Sequence, residues 1–144
     1  MFLLDTSVLS AMMRATPAPE VAAWVSGQPV ERLFTAFVCQ AEILAGLAIM
    51  PEGRRRRDLE AASRAMFLED FEGRVLPFDT AAAVAYADIF AAHQRARRAI
   101  ATVDLMLAAV ARSQRASVVT RNVAHFDACG VTVVYPWDMQ PTMS

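Results

Sequence analysis

The run Phe2-Leu3-Leu4 is short and wholly apolar, and it ends in a carboxylate at Asp5, followed by Thr6 and Ser7. It reads as a buried strand that delivers a charged group at its tip. Glu42 and Asp104 also stand inside apolar stretches far along the chain. An ionised carboxylate among hydrocarbon is costly unless something positive satisfies it, so three such acids point to one shared cation.

Periodicity assigns the remaining elements. A short helix is predicted from Ser7 to Arg14, capped by Thr6 or Ser7 and broken by Pro17 and Pro19; a second runs from Glu20 to Ser26 and stops at Gly27. Leu33–Ala36 reads as a second strand. Helices are predicted over 38–50, ended by Pro51 and Gly53, and over 56–71, closed by Gly73. Val75–Phe78 is a short strand, Asp79 caps a long helix reaching towards Arg98, and another helix covers 103–113. Strands at 117–120 and 131–135 follow, separated by a small turn or helix over 121–129, with Gly130 at the junction. Strands alternating with helices indicate an α/β fold with a largely parallel sheet.

At 144 residues the chain fits a single domain, 1–144, large enough to bury about two-thirds of the surface its unfolded form would expose. The hydrophobic fraction of 56% owes much to alanine, which suits closely packed helices. The stretch 33–50 is long enough to raise a membrane span, but Glu42 at its centre excludes one, since a carboxylate there costs about 3 kcal/mol. No basic residue precedes the first apolar run and Asp5 interrupts it, so a signal peptide is not expected and the cytoplasm is. Cys39 and Cys129 lack Cys-x-x-Cys spacing and read as small core residues. The net charge of -1 creates no global field for nucleic acid, so phosphate contacts fall to local arginines with their planar forks. Lysine is absent, which excludes P-loop nucleotide chemistry and phosphoaspartate stabilisation by a lysine.

Ligands of open α/β sheets bind at the carboxyl ends of strands, where Asp5 falls; its simpler role is to cap the next helix. Glu42 lies among Phe37, Ile43, Leu44 and Leu47, which leave it little solvated face, and Gly46 one turn on makes room for a neighbouring backbone. Asp104 opens a helix that is apolar nearly all round, where the dipole alone favours an acid by up to about 1 kcal/mol. Only the three together argue for a metal. Their hard oxygens suit magnesium, which keeps waters and takes substrate phosphate oxygens. His93 and His125 read as a helix-surface residue and a loop residue, not as a zinc pair.

Taken in order, several segments resemble the PIN-domain ribonucleases, and within them the VapC-type toxins of type II toxin-antitoxin pairs, especially the FitB-like branch. They are Leu4-Asp5-Thr6-Ser7-Val8-Leu9-Ser10, Ala41-Glu42-Ile43-Leu44-Ala45-Gly46, Met50-Pro51-Glu52-Gly53-Arg54-Arg55-Arg56, and Asp104 with Ala108-Ala109. Thr120-Arg121-Asn122-Val123-Ala124-His125-Phe126 and Gly130-Val131 up to Tyr135-Pro136-Trp137 complete the set, which covers almost the whole chain. The resemblance implies a PIN-like α/β/α sandwich around a twisted, mostly parallel sheet. It implies a pocket where Asp5, Glu42 and Asp104 bind Mg2+ or Mn2+ for RNA hydrolysis, with Asn122 as a fourth catalytic residue. Thr6 would orient the first carboxylate, and Thr6, Thr120 and Arg121 would position substrate. Many members place a further acid just after the fourth strand; this chain has Asn122 there, with His125 and Asp127 further along the turn. The implied partners are RNA, a second copy in a homodimer, and a cognate VapB-like antitoxin that inserts a segment towards the acids. DNA would be met only through that antitoxin.

The basic run Arg54–Arg57 opens a helix whose positive dipole end disfavours cations. RNA phosphate or an acidic partner surface would give it a reason; offsetting by Glu52, Asp58 and Glu60 would make it a solvated run. Arg95, Arg97 and Arg98 close a helix, where the dipole favours them. Trp24 and Trp137 read as core or interface residues, and Ala82–Ala92 as a helix with buried contacts. Haloacid-dehalogenase-like phosphatases also place an Asp after a buried strand, but their usual second Asp is Ser7 here. With Asn122 in place of an acid, the residues also admit a PIN-fold module that binds RNA or a partner without cutting.

Overall fold

The computed structural model describes residues 1–138. Five short strands, β1 (Phe2–Leu4), β2 (Leu33–Ala36), β3 (Val75–Leu76), β4 (Ser117–Val119) and β5 (Val133–Val134), pair in parallel in the order β3-β2-β1-β4-β5. Six helices complete an α/β/α sandwich: α1 (Thr6–Met12), α2 (Pro19–Ser26), α3 (Phe37–Ala48), α4 (Arg54–Ala65), α5 (Thr80–Arg95) and α6 (Thr102–Gln114). The expected order of elements is found. Strands three to five are shorter than predicted, because the chain leaves the sheet as soon as its neighbours end. Beyond Ala65, α4 continues into a π-helical turn, Met66–Asp70, that seats Met66 and Phe67 in the core.

Strand β1 lies at the centre, and Leu3 and Leu4 are fully buried, as a strand covered on both faces requires. On one side Phe2 and Leu3 align with Leu33 and Phe34; on the other Leu4 aligns with Val119. From β1 the chain builds outward through β2 to β3, then crosses back to place β4 on β1's free edge. The order therefore reverses between β1 and β4, and that reversal opens a crevice at their carboxyl ends. Helix α6 buries Leu105, Leu107, Ala108, Ala109, Val110 and Ala111, and α5 packs along it. Because α6 leads back into β4, its amino terminus and Asp104 come to the carboxyl edge of the sheet.

Three local expectations need correction. The cap of α1 is Asp5, which accepts from the Thr6 N–H, rather than Thr6 or Ser7. His93 is buried, not at the surface: it lies one turn from Ile89, and its Nδ1 is 2.9 Å from the Ile89 carbonyl. The same helix buries Ala82 and Ile89, as read, and exposes Val84 and Phe90. Gly46 leaves room, but no neighbouring backbone takes it, since an added Cβ would meet nothing within 4 Å among the described residues. Cys39, Cys129 and Trp24 are in the core, as read. Among the described residues no helix is long and apolar enough to cross a membrane.

With open space at Gly46 and helical backbone around it, Gly46→Ala should stabilise the protein by about 0.5–1 kcal/mol. Asp79→Ala removes the acceptor 2.9 Å from the Ala82 N–H at the start of α5, and should cost about 1 kcal/mol. Urea midpoints measured side by side check both signs.

Candidate active site

At the crevice, Asp5 and Thr120 follow directly after the paired residues Leu4 and Val119. The Asp5 N–H continues the ladder to the Val119 carbonyl at 2.9 Å, so the backbone fixes where the carboxylate starts. Three donors then fix where it points. Its Oδ1 accepts from the Thr6 N–H at 2.6 Å; its Oδ2 accepts from the hydroxyls of Thr120 at 2.6 Å and Ser7 at 3.3 Å. Those hydroxyls are themselves aimed. The Asn122 N–H donates to Thr120 Oγ1 at 2.9 Å, and the Arg121 N–H donates to Ser7 Oγ at 3.1 Å. With each oxygen already accepting from a backbone amide, each hydroxyl proton is left for Asp5.

The carboxylate is 4% exposed, and no arginine pairs with it among the described residues. Burial pushes its pKa up; the Thr120 hydroxyl and the Thr6 amide oppose that rise, and the negative charge of Asp104 adds to it. Asp104 is thus an electrostatic neighbour of Asp5. Its Oδ2 lies 2.7 Å from His125 Nδ1, on a short 3-10 turn, Val123–Phe126. The imidazole is half exposed, so its other nitrogen is open to solution.

Glu42 is placed differently. It stands on the exposed side of α3, five residues or about 8 Å of helical rise beyond Phe37. Phe37 and Leu44, expected to enclose it, are themselves half exposed. It lines a hollow shared with Thr6, Arg14 and Arg55. Among the described residues no three acidic, histidine or cysteine side chains are close enough together to hold a metal. The structure therefore brings Asp5 and Asp104 into one electrostatic unit, with Glu42 across the Thr6 wall. Between these acids, Cys39 is buried beside Asp5, and its thiol is pushed up to about 12 by burial first and by the Asp5 charge second. It is an inert wall.

Thr6 does orient Asp5, through its amide; its hydroxyl is buried with no oxygen or nitrogen partner among the described residues. Thr120 is fully buried, whereas Arg121 and Asn122 are exposed at the rim. The Arg121 guanidinium lies over the Trp137 ring at 5.3 Å, which steadies it and leaves its edge free. Sequence reasoning left Ser7 and His125 out of the site. The spacing Asn122-x-x-His125 was the available signal, since one 3-10 turn brings such a pair to the same rim. The basic run divides: Arg56 reaches Glu60 at 2.6 Å, Arg54 and Asp58 are 3.9 Å apart, and Arg55 and Arg57 make no ion pair among the described residues.

A divalent cation fits this donor set. Asp5 and Asp104 offer hard oxygens without a guanidinium to neutralise them, and the buried Thr6 hydroxyl, beside the Cys39 thiol, has no oxygen or nitrogen partner among the described residues. Magnesium needs only one or two carboxylates when waters and phosphate complete its shell. The model for the PIN domain matches residues 2–130. This chain belongs to the PIN-domain family. It is 36% identical to the VapC ribonuclease Y4jK of Sinorhizobium fredii over 96% of this chain and 99% of that protein. It is 34% identical to Toxin FitB of Neisseria gonorrhoeae over 95% and 99%. Among solved structures, FitAB bound to the IR36 DNA fragment superposes with a TM-score of 0.87 at 32% identity, covering 99% of this PIN domain and all of that chain.

Because its folded pKa is raised above the ordinary 3.8, the stabilising contribution of Asp5 is present below that value and is lost as pH rises through the folded one. In chelator, wild-type stability should therefore fall relative to Asp5→Asn as pH climbs from about 3.5 to 7. Adding Mg2+ at pH 7 should narrow the gap by stabilising wild type alone. Guanidinium melts at several pH values check the direction; a gap that closes with rising pH overturns it.

Proposed function

We propose that this PIN domain is a divalent-metal-dependent endoribonuclease, hydrolysing RNA phosphodiester bonds as the toxin of a toxin-antitoxin pair. The observation that carries the reading is the Asp5–Asp104 pair at the β1–β4 crevice, Asp5 buried and Asp104 partly so, with no arginine pairing either among the described residues. Its near full-length likeness to proteins named VapC ribonuclease and Toxin FitB supports the activity and the toxin role.

Asp5, Asp104 and Glu42 would hold Mg2+ or Mn2+. When bound, such an ion polarises a phosphoryl oxygen and neutralises charge building on the leaving one. The chain's own groups do the rest. Thr120, Ser7 and the Thr6 amide keep the Asp5 oxygens turned into the crevice, and His125 holds one Asp104 oxygen so that the other is free. The exposed Asn122 amide and the Arg121 guanidinium donate to phosphate from the rim, where a planar fork suits two phosphoryl oxygens. The water's path to phosphorus is set by Glu42 or Asp104.

Exposed Phe37, Leu44 and Leu68 on α3 and beyond α4, with Val84 and Phe90 on α5, support two covering partners: a VapB-like antitoxin and a second copy. The likeness to FitAB bound to the IR36 DNA fragment supports DNA contact through the antitoxin. Action in the cytoplasm follows from an RNA target. That no three acids are gathered closely enough to hold a metal, among the described residues, favours one competing reading, a PIN module that binds RNA without cutting.

Purified protein should cut single-stranded RNA in Mg2+ or Mn2+ and lose that activity in excess EDTA. Asp5→Asn and Asp104→Asn should each reduce cleavage at least about a hundredfold while circular dichroism stays native. RNA binding with no cleavage in either metal would favour the non-cutting module, and undiminished cleavage in chelator would remove the metal. Growth arrest on induced expression, relieved by Asp104→Ala, checks the toxin role.

A further inference from the structure

Helices α1, α3 and α4 enclose a hollow of about 280 Å³ beside the acids. Thr6, the residue after Asp5, forms part of its wall, and Glu42 another part, so the hollow adjoins the candidate site. Met13, Ile43, Leu47 and Leu59 give it apolar sides. Arg14 and Arg55 also line it, both exposed and neither in an ion pair among the described residues. Gly46 leaves it open, because the space a Cβ would take is empty.

We propose that this hollow receives the nucleobase next to the phosphate that is cut, with guanine its best match; the proposal rests on the ribonuclease reading. Its size lies at the low end of small-ligand pockets, about 300 Å³, which suits one planar ring system rather than a helix. Single-stranded RNA is read by bases splayed from the strand, with their faces against side chains and their edges hydrogen-bonded. The apolar sides take the ring faces. A guanidinium fork matches the paired acceptors O6 and N7 of guanine, and the second arginine is left for the adjoining phosphate. An acidic protein side chain would meet a guanidinium but not the apolar sides, and an apolar one would do the reverse. A nucleotide brings ring acceptors and phosphate together.

Position 46 allows a direct test. Gly46→Leu places a branched side chain on the wall of the hollow, at a helical site where its first carbon meets nothing within 4 Å. Two short RNAs would be compared, identical except that one carries an abasic residue in place of the guanosine beside the cut, and kcat/KM taken for each. Wild type should prefer the intact RNA by at least about tenfold. In Gly46→Leu that ratio should fall towards one, chiefly through KM, while Gly46→Ala keeps most of it. Independently of any variant, guanosine 5′-monophosphate should shift the amide resonances of Ala45–Leu47 in wild type more than uridine 5′-monophosphate does. A ratio unchanged by Gly46→Leu, or equal shifts from both nucleotides, overturns the base pocket and leaves the ribonuclease standing. Weakened antitoxin binding with an unchanged ratio gives the hollow to the protein partner and likewise overturns it. Absence of metal-dependent cleavage by wild type overturns both readings.

Discussion

Burying the Asp5 carboxylate at the end of β1 costs solvation that its three donors only partly return, as its raised pKa records. Everything around it is arranged to meet that cost. The backbone amides of Arg121 and Asn122 are spent on two hydroxyls so that both hydroxyl protons face Asp5. That shell ties the start of α1 to the end of β4, residues 115 apart in the chain, and so closes the crevice as it orients the acid. Asp104 worsens the local balance of charge, and a cation is the species that would reverse it.

The basic and apolar features sort around this acidic centre. Arg56 is spent within α4 on Glu60 and the Met50 carbonyl, whereas Arg55 turns towards the hollow beside Glu42 and Arg57 towards a separate groove between α3 and α4. Four arginines in sequence thus serve several surfaces, because a helix advances about 100° per residue and neighbours cannot share a face. Arg14 and Arg55, unpaired among the described residues, share the hollow with Glu42, which suits a polyanion that must approach a negatively charged crevice and be held there.

How much was legible follows from which residues report locally. The strand at 33–36 was readable to the residue, and the Asp79 cap was readable because an acid before an alanine run has few other roles. His93 was not: its alanine neighbours look equally at home inside or outside, and only packing against α6 makes that face the inner one. Glu42 failed in the opposite direction. Apolar neighbours suggested enclosure, yet Phe37 and Leu44 are themselves left partly uncovered, so the face is open. Periodicity tells how apolar a face is, not whether another element arrives to cover it.

By itself the sequence determined the alternating elements, the parallel class of the sheet and the acids at issue, because these rest on short-range patterns: apolar runs, caps and breakers. It also carried the family, through motifs spread along nearly the whole chain. Tertiary structure alone decided that Ser7 and Thr120 share one carboxylate, that His125 meets Asp104, and that Glu42 stands apart beside a hollow. Those relations depend on strand order and register, which join residues distant in the chain through contacts that no local pattern encodes.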